Sequence, residues 1–249
     1  MMAQASVRSD SPGPENTLVV IPAWDEAADI GLVVERVKAQ GFEVLVVDDH
    51  SSDDTAEMAA AAGARVIRLA FHAGSWAAMQ TGLRVALKEG FRFTVTIDGD
   101  GQHHPEDIPL LLHCHAEANR PLHVVIGACV RRANRRRRVV WKVLRVLSGI
   151  KVVDLTSGFR LYDHAAMALL GSSACSLIEY QDIGVLLNLH RHGFHMQEVD
   201  VQMGPRLTGH SRIFNTWRVV GHYLIYSLLL TLTRRRYGRS EIDAEWVIR

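Results

Sequence analysis

Cysteine is scarce in this sequence: three residues, Cys114, Cys129 and Cys175, widely spaced and with no C-x-x-C pair among 249 residues. That excludes a disulfide framework and a cysteine-based zinc site, and it fits a reducing compartment. A dominant charge sign is also missing. Lys and Arg number 28 against 27 Asp and Glu, a formal charge of +1, so nucleic acid is not expected as a partner. No internal repeat stands out, and no glycine-rich pyrophosphorylase signature opens the chain. A membrane-spanning run is lacking too. Within Trp217–Leu232 the uninterrupted apolar part is about 14 residues, roughly 21 Å as helix, against a bilayer core of roughly 30 Å. Residues Met1 to Asn16 are polar, contain Pro12-Gly13-Pro14 and have no apolar core, so they read as a disordered leader and not as a signal peptide.

What is present is 48% hydrophobic residues, enough for one large α/β domain or two small ones. Leu18–Ile21 and Val44–Val47 are continuous apolar runs, the mark of strands buried on both faces. Arg65–Leu69, Phe93–Ile97 and Val124–Ile126 predict three more strands. Between them, helical patterns are expected from Asp25-Glu26 through Val37, over Ala56–Ala62, over Trp76–Lys88 and near Glu106–Ala118. Gly149–Asp154 and Met196–Val201 are expected to add strands. Alternating βα units predict a doubly wound, mainly parallel sheet of Rossmann-like type.

Acidic residues recur where three of these strands end: Asp25/Glu26, Asp48/Asp49 and Asp98/Asp100. Carboxyl ends of parallel strands line one crevice, so the three pairs are expected to face a common pocket. Crowded carboxylates repel, and a metal ion or the donor groups of a ribose and base would relieve that repulsion. Asp98-Gly99-Asp100 can converge two carboxylates on one hard cation, Mg²⁺ or Mn²⁺, with Gln102 offering a neutral oxygen. Asp48 to Asp54 taken alone also reads as cap and turn chemistry.

Pro22-Ala23-Trp24-Asp25-Glu26, Val46-Val47-Asp48-Asp49-His50-Ser51 and Asp98-Gly99-Asp100-Gly101-Gln102-His103 resemble, in order and spacing, the motifs of family 2 glycosyltransferases. Asp154-Leu155-Thr156-Ser157-Gly158-Phe159-Arg160-Leu161-Tyr162 and Arg206-Leu207-Thr208-Gly209-His210-Ser211-Arg212 are similar to the branch that contains dolichyl- and polyprenyl-phosphate sugar synthases. The resemblance covers roughly residues 17 to 213. It implies a GT-A fold, a nucleotide-sugar donor, a divalent metal and a catalytic domain over 17–213, followed by an apolar helix and basic tail over 214–249.

Residue by residue, the resemblance implies that Pro22, Trp24 and Glu26 meet the base and ribose, and that Asp49 contacts the base or ribose. Gly74 belongs to a loop beside the nucleotide, and Gly99 to the donor site. Asp98, Asp100 and Gln102 are implied as the metal shell, and Arg206 and Arg212 as the phosphate clamp. Arg131, Ser157, Arg160 and Ser211 are implied at the acceptor phosphate. Four departures stand out. Trp24 takes the usual tyrosine position, Asp25 the usual asparagine, and Cys129 an arginine position, which leaves Arg131 or Arg132 to substitute. A helix glutamate of the family is Gly184 here, and Asp182 is the nearest acid.

A lipid phosphate acceptor is already an anionic nucleophile and needs no strong base, whereas a hydroxyl acceptor needs one, for which Asp182 is the candidate. Arg160 is open to two roles, pairing with Asp154 or reaching the acceptor. The stretch Trp217–Leu232, bracketed by Arg218 and Arg234–Arg236, suits the membrane interface. The arginine run at 131–138 would add attraction to anionic headgroups. A buried helix or a contact in a homo-oligomer suits the same stretch. The expected protein is thus a glycosyltransferase, peripheral on the cytoplasmic face of the membrane, with a polyprenyl phosphate as acceptor. The rivals are transfer to a saccharide hydroxyl and a non-catalytic nucleotide-sugar-binding assembly partner.

Overall fold

The sheet is built from β1 (Thr17–Ala23), β2 (Glu43–Asp48), β3 (Arg65–Arg68), β4 (Phe93–Thr96), β5 (Val124–Ala128), β6 (Arg160–Asp163) and β7 (Met196–Asp200), in the order β3-β2-β1-β4-β6-β5-β7. The structure is a computed structural model that describes residues 11–129, 141–142, 145–146, 149–176 and 183–204. The helices among these residues are α1 (Ile30–Lys38), α2 (Thr55–Ala61), α3 (Ser75–Lys88), α4 (Ile108–Ala116), α5 (His164–Gly171) and α6 (Ile183–Arg191).

The apolar runs explain the layering. Successive side chains of a strand point to opposite faces. In β1, Val19 and Ile21 join Val33, Val34, Val37, Ile108 and Leu111 in one core. Leu18 and Val20 join Leu83, Met167, Leu170 and Leu186 in the other. A strand buried on both sides cannot alternate polar with apolar, which is why β1 and β2 read as unbroken hydrophobic runs. On the second face α3 lies close against β1: a Cβ at Gly82 would stand 2.3 Å from Val20 Cγ1.

The pairs β1–β2, β1–β4, β2–β3 and β5–β7 are parallel, as expected for βα units. The sheet is nevertheless mixed, because β6 runs antiparallel between β4 and β5. That strand comes from a segment read in the sequence only as a motif. The strand expected over Gly149–Asp154 does not form. Ile150 and Val152 are buried in the core, but the Val153 and Asp154 N–H groups donate to Glu198 Oε1 at 2.8 and 2.7 Å and not to a ladder. Within the leader expected through Asn16, the described residues make defined contacts: Asn16 Nδ2 donates to Ser11 O at 2.8 Å, and Asn16 O accepts from Arg92 and Phe93 N–H. Met1 to Asp10 and the apolar stretch Trp217–Leu232 lie outside the described residues. Among those described, no helix is long and apolar enough to cross a membrane.

At the end of the sheet away from the acidic motifs, His115 of α4 packs edge-on to Phe93, ring centroids 5.0 Å apart. Burial lowers the pKa of this imidazole below 6.5, against the attraction of Asp163. Burial raises the pKa of Asp163 above 3.8, opposed by the Ala166 N–H and by His123, His115 and His164. A histidine with a depressed folded-state pKa is bound less tightly by protons when folded, so its contribution is complete above pH 6.5 and is lost as pH falls below that value. His115→Leu should therefore flatten the fall in unfolding free energy between pH 7 and 5.5. The difference expected is a few tenths to about 1 kcal/mol, discounted because the ring is only half-buried. Urea midpoints at the two pH values measure it; parallel losses in parent and variant would show that the ring carries none of the effect.

Candidate active site

The loops that follow β1 and β2 are laced together by side chains. Asp25 has φ +50° and donates its N–H to Ser51 Oγ at 2.9 Å, while its carboxylate accepts from Ser52 N at 2.7 Å. Glu26 N–H donates to Thr55 Oγ1 at 2.8 Å and Ala27 N–H to Asp53 Oδ2 at 3.2 Å. Burial pushes the Asp53 pKa up, but the hydrogen bonds from Thr55 Oγ1, Ala27 N–H and Thr55 N–H outweigh it and hold the group below 3.8. Asp48 is fully buried: it accepts from Ser51 N at 3.0 Å and from the Ser51 hydroxyl, and it faces Arg68 Nε at 3.2 Å. The carboxylates of Asp25, Asp48 and Asp53 thus build the rim.

Asp49 differs. Being the next residue along the chain, it points away from Asp48, toward the loop before α3. Its Oδ1 accepts from Ala73 N–H at 2.7 Å and its Oδ2 from Gly74 N–H at 2.8 Å, with His72 Nδ1 3.0 Å from Oδ2. Gly74 caps α3 with φ +92°, a conformation that favours glycine. The His72 ring leans on Trp24, centroids 4.3 Å apart and planes 31° apart, and Trp24 remains 39% exposed at the end of β1.

The end of β4 carries the other carboxylates. Ile97 N–H donates to Val20 O at 3.2 Å, which holds the segment beside β1. At Gly99 a Cβ would stand 3.1 Å from Ile30 Cδ1, so the turn sits tight on α1. Gly101 has φ +68° and turns the chain so that Gln102 N–H donates to Asp100 Oδ1 at 3.1 Å. Asp100 is buried, whereas the Asp98 side chain is 38% exposed, with buried His103 placing Nε2 3.8 Å from its Oδ2. Gly158 presses on Asp98 from the neighbouring loop. The chain returns to this place later: His103 bridges Met203, and Gly204 N–H donates to Gln102 O at 2.8 Å.

Among the described residues, no three His, Cys, Asp or Glu side chains converge into a metal shell. The residues nonetheless fit a hard cation in one respect. Asp98, Asp100 and Gln102 can each offer a side-chain oxygen, with Asp98 open to solvent, the donor set of an ion whose shell is completed by phosphate and water.

Of the residues expected at the acceptor phosphate, Ser157 is buried. Its hydroxyl donates to Gly127 O at 2.6 Å and accepts from Phe159 N–H at 3.2 Å, so it ties β6 to β5. Arg160 is 1% exposed and lies opposite Thr96 and Ile126, at the same sheet edge as Asp98. Asp154, the alternative partner considered for Arg160, accepts from Cys129, Thr156 N and Thr156 Oγ1. Arg131, Asp182, Arg206, Ser211 and Arg212 lie outside the described residues. Sequence reasoning missed His103, Gly158 and His72, although the first two sit inside motifs it had already singled out and the third lies two residues before Gly74.

The sequence profile of glycosyl transferase family 2 matches residues 18–169. The chain is 32% identical over 216 residues to the polyprenol monophosphomannose synthase of Mycolicibacterium smegmatis, covering 80% of this chain and 81% of that one. It is 28% identical over 214 residues to the undecaprenyl-phosphate mannosyltransferase of Micrococcus luteus, covering 79% and 86%. The glucosyl-3-phosphoglycerate synthase of Mycobacterium tuberculosis, solved with Mn²⁺, uridine diphosphate and glucosyl-3-phosphoglycerate, superposes with a TM-score of 0.65. Its identity is 22%, over 87% of this chain and 79% of that one, a likeness of fold.

Proposed function

This chain belongs to glycosyl transferase family 2, and from that premise we propose that it moves a sugar from a nucleotide-sugar donor to a polyprenyl phosphate. The observation that carries the reading is the grouping of Asp98 and Asp100 at the end of β4 beside β1, whose own end carries exposed Trp24. Two relatives named for sugar transfer to polyprenyl phosphates support the acceptor.

In this reading Trp24 packs against the base, Asp49, Glu26 and Pro22 meet the base and ribose, and Gly74 and Gly99 let the donor approach the backbone. Asp98, Asp100 and Gln102 would hold Mg²⁺ or Mn²⁺; a structural neighbour solved with Mn²⁺ and uridine diphosphate supports the need for a divalent metal. Bound there, the ion would neutralise charge that builds on the departing diphosphate. Arg206, with Arg212, holds the same phosphates. Arg131, Arg160 and Ser211 attract the acceptor phosphate. Ser157 contributes by holding the strand that carries Arg160. The basic runs and the stretch Trp217–Leu232 keep the enzyme on the cytoplasmic membrane surface.

A second reading, transfer to a hydroxyl of a small phosphorylated acid, takes its support from the structural neighbour bound to phosphoglyceric acid. Acceptor assays separate the two. Nucleoside diphosphate release and labelled product are measured with a polyprenyl phosphate, with 3-phosphoglyceric acid and with simple saccharides. The first reading expects the polyprenyl phosphate to be used best and Asp182→Asn to lose less than about threefold, since a phosphate oxygen needs no base. Exclusive use of a soluble acceptor, with loss of activity in Asp182→Asn, would replace it by the second.

A further inference from the structure

The nucleobase platform is covered by the protein itself. The His72 ring lies 4.3 Å from that of Trp24. A third ring between them would need about 7 Å, twice a stacking distance, so the pair has no room for a base as it stands. Asp49 is engaged in the same way: the Ala73 and Gly74 N–H groups each donate to one oxygen of its carboxylate, and His72 Nδ1 stands 3.0 Å from Oδ2. Those are the oxygens that the imino N–H of a base would seek.

The loop is built to leave. Phe71, before His72, is 69% exposed, the His72 side chain is 48% exposed, and a Cβ at Gly74 would meet nothing within 4 Å. Half-buried Leu69 and buried Trp76 hold the two ends of the loop to the core, and no buried apolar side chain lies between them.

We propose that His72 is the gate of the nucleobase subsite, a residue whose ring occupies the Trp24 face and must be displaced when a nucleoside diphosphate sugar binds. The inference rests on the donor reading above and adds to it a residue that sets donor affinity by competing for the site. The competition is intramolecular, so it weakens every base-bearing ligand and leaves base-free ones alone.

Calorimetric titration with GDP, UDP and inorganic pyrophosphate, each with Mn²⁺, tests it. Both nucleotides present an imino N–H to Asp49, and pyrophosphate presents no base. His72→Ala is expected to tighten GDP and UDP by about three- to tenfold, the range in which one aromatic pair acts, and to leave pyrophosphate within twofold. His72→Phe keeps a ring on Trp24 and should bind the nucleotides no more than about twofold tighter than the parent. In a Trp24→Ala background, adding His72→Ala should change nothing, because the ring then has no platform to cover. Equal or weaker nucleotide binding by His72→Ala overturns the gate, as does equal tightening of pyrophosphate. If the parent and all variants bind pyrophosphate but no nucleotide, the donor reading falls and the gate with it.

Discussion

Asp100→Asn is expected to melt within about 2 °C of the parent and to lose about a thousandfold in turnover, because the charge removed is the one that matters for the leaving diphosphate. The fold should survive for a local reason. Asp100 Oδ1 accepts the Gln102 N–H at 3.1 Å, and an asparagine oxygen can accept the same bond. The change therefore separates charge from shape. Asp98→Asn is the matched test on the more exposed partner. Nucleoside diphosphate release, followed over a range of Mn²⁺ concentrations, should be nearly absent in either variant, and a chelator should bring the parent to the same level. An Asp100→Asn enzyme with parental turnover, or a parent indifferent to chelation, would remove the metal from this site.

The second large effect is expected at a residue with no side chain. A Cβ at Gly158 would stand 2.6 Å from Asp98 Oδ1 and 3.0 Å from Oδ2. Gly158 does not have a positive φ, so the backbone alone does not demand glycine there. It is also unable to retreat, since its carbonyl accepts from Thr96 Oγ1 at 2.7 Å and Thr96 is buried in β4. Asp98 must yield instead. Gly158→Ala should lower turnover by about a hundredfold, the scale at which a displacement near 1 Å is felt at a reacting centre. It should also destabilise the fold by about 1–2 kcal/mol through overpacking. The control is Gly31→Ala, where the new Cβ would be 3.9 Å from Met58 and where activity should not change. Parental activity in Gly158→Ala would mean that the position of Asp98 is immaterial to transfer.

The donor half of the molecule was largely legible in the sequence. Leu18–Ile21 and Val44–Val47 are unbroken apolar runs because both faces of their strands are covered, and each ends where the acids begin. The division of labour among those acids was less legible. Asp48 and Asp49 look like a pair in sequence, yet adjacent residues of an extended chain point oppositely, one down to Ser51 and Arg68, the other out to the loop at His72. In the second half the signals mislead. Arg160-Leu-Tyr-Asp does not look like an interior strand because a buried arginine opens it. Ile150 and Val152 alternate like a strand, although their apolarity serves anchoring and a glutamate side chain takes the neighbouring N–H groups. Contacts such as Gly158 against Asp98, or His72 over Trp24, join residues tens of positions apart and leave no periodic trace.

The reversed strand β6 also dictates an order of assembly during synthesis. β2, β3 and β4 each find a ladder partner among residues already made: β1, β2 and β1 in turn. β5 does not. Both of its neighbours, β6 and β7, come later in the chain, so Val124–Ala128 emerges as a bare apolar strand with its place in the sheet not yet in existence. A nascent chain can close its donor half vectorially, then must keep a sticky edge from other chains until residue 163 has been added. Products stopped between residues 128 and 160 carry that edge permanently, and they are the species for which a chaperone or a protease matters most.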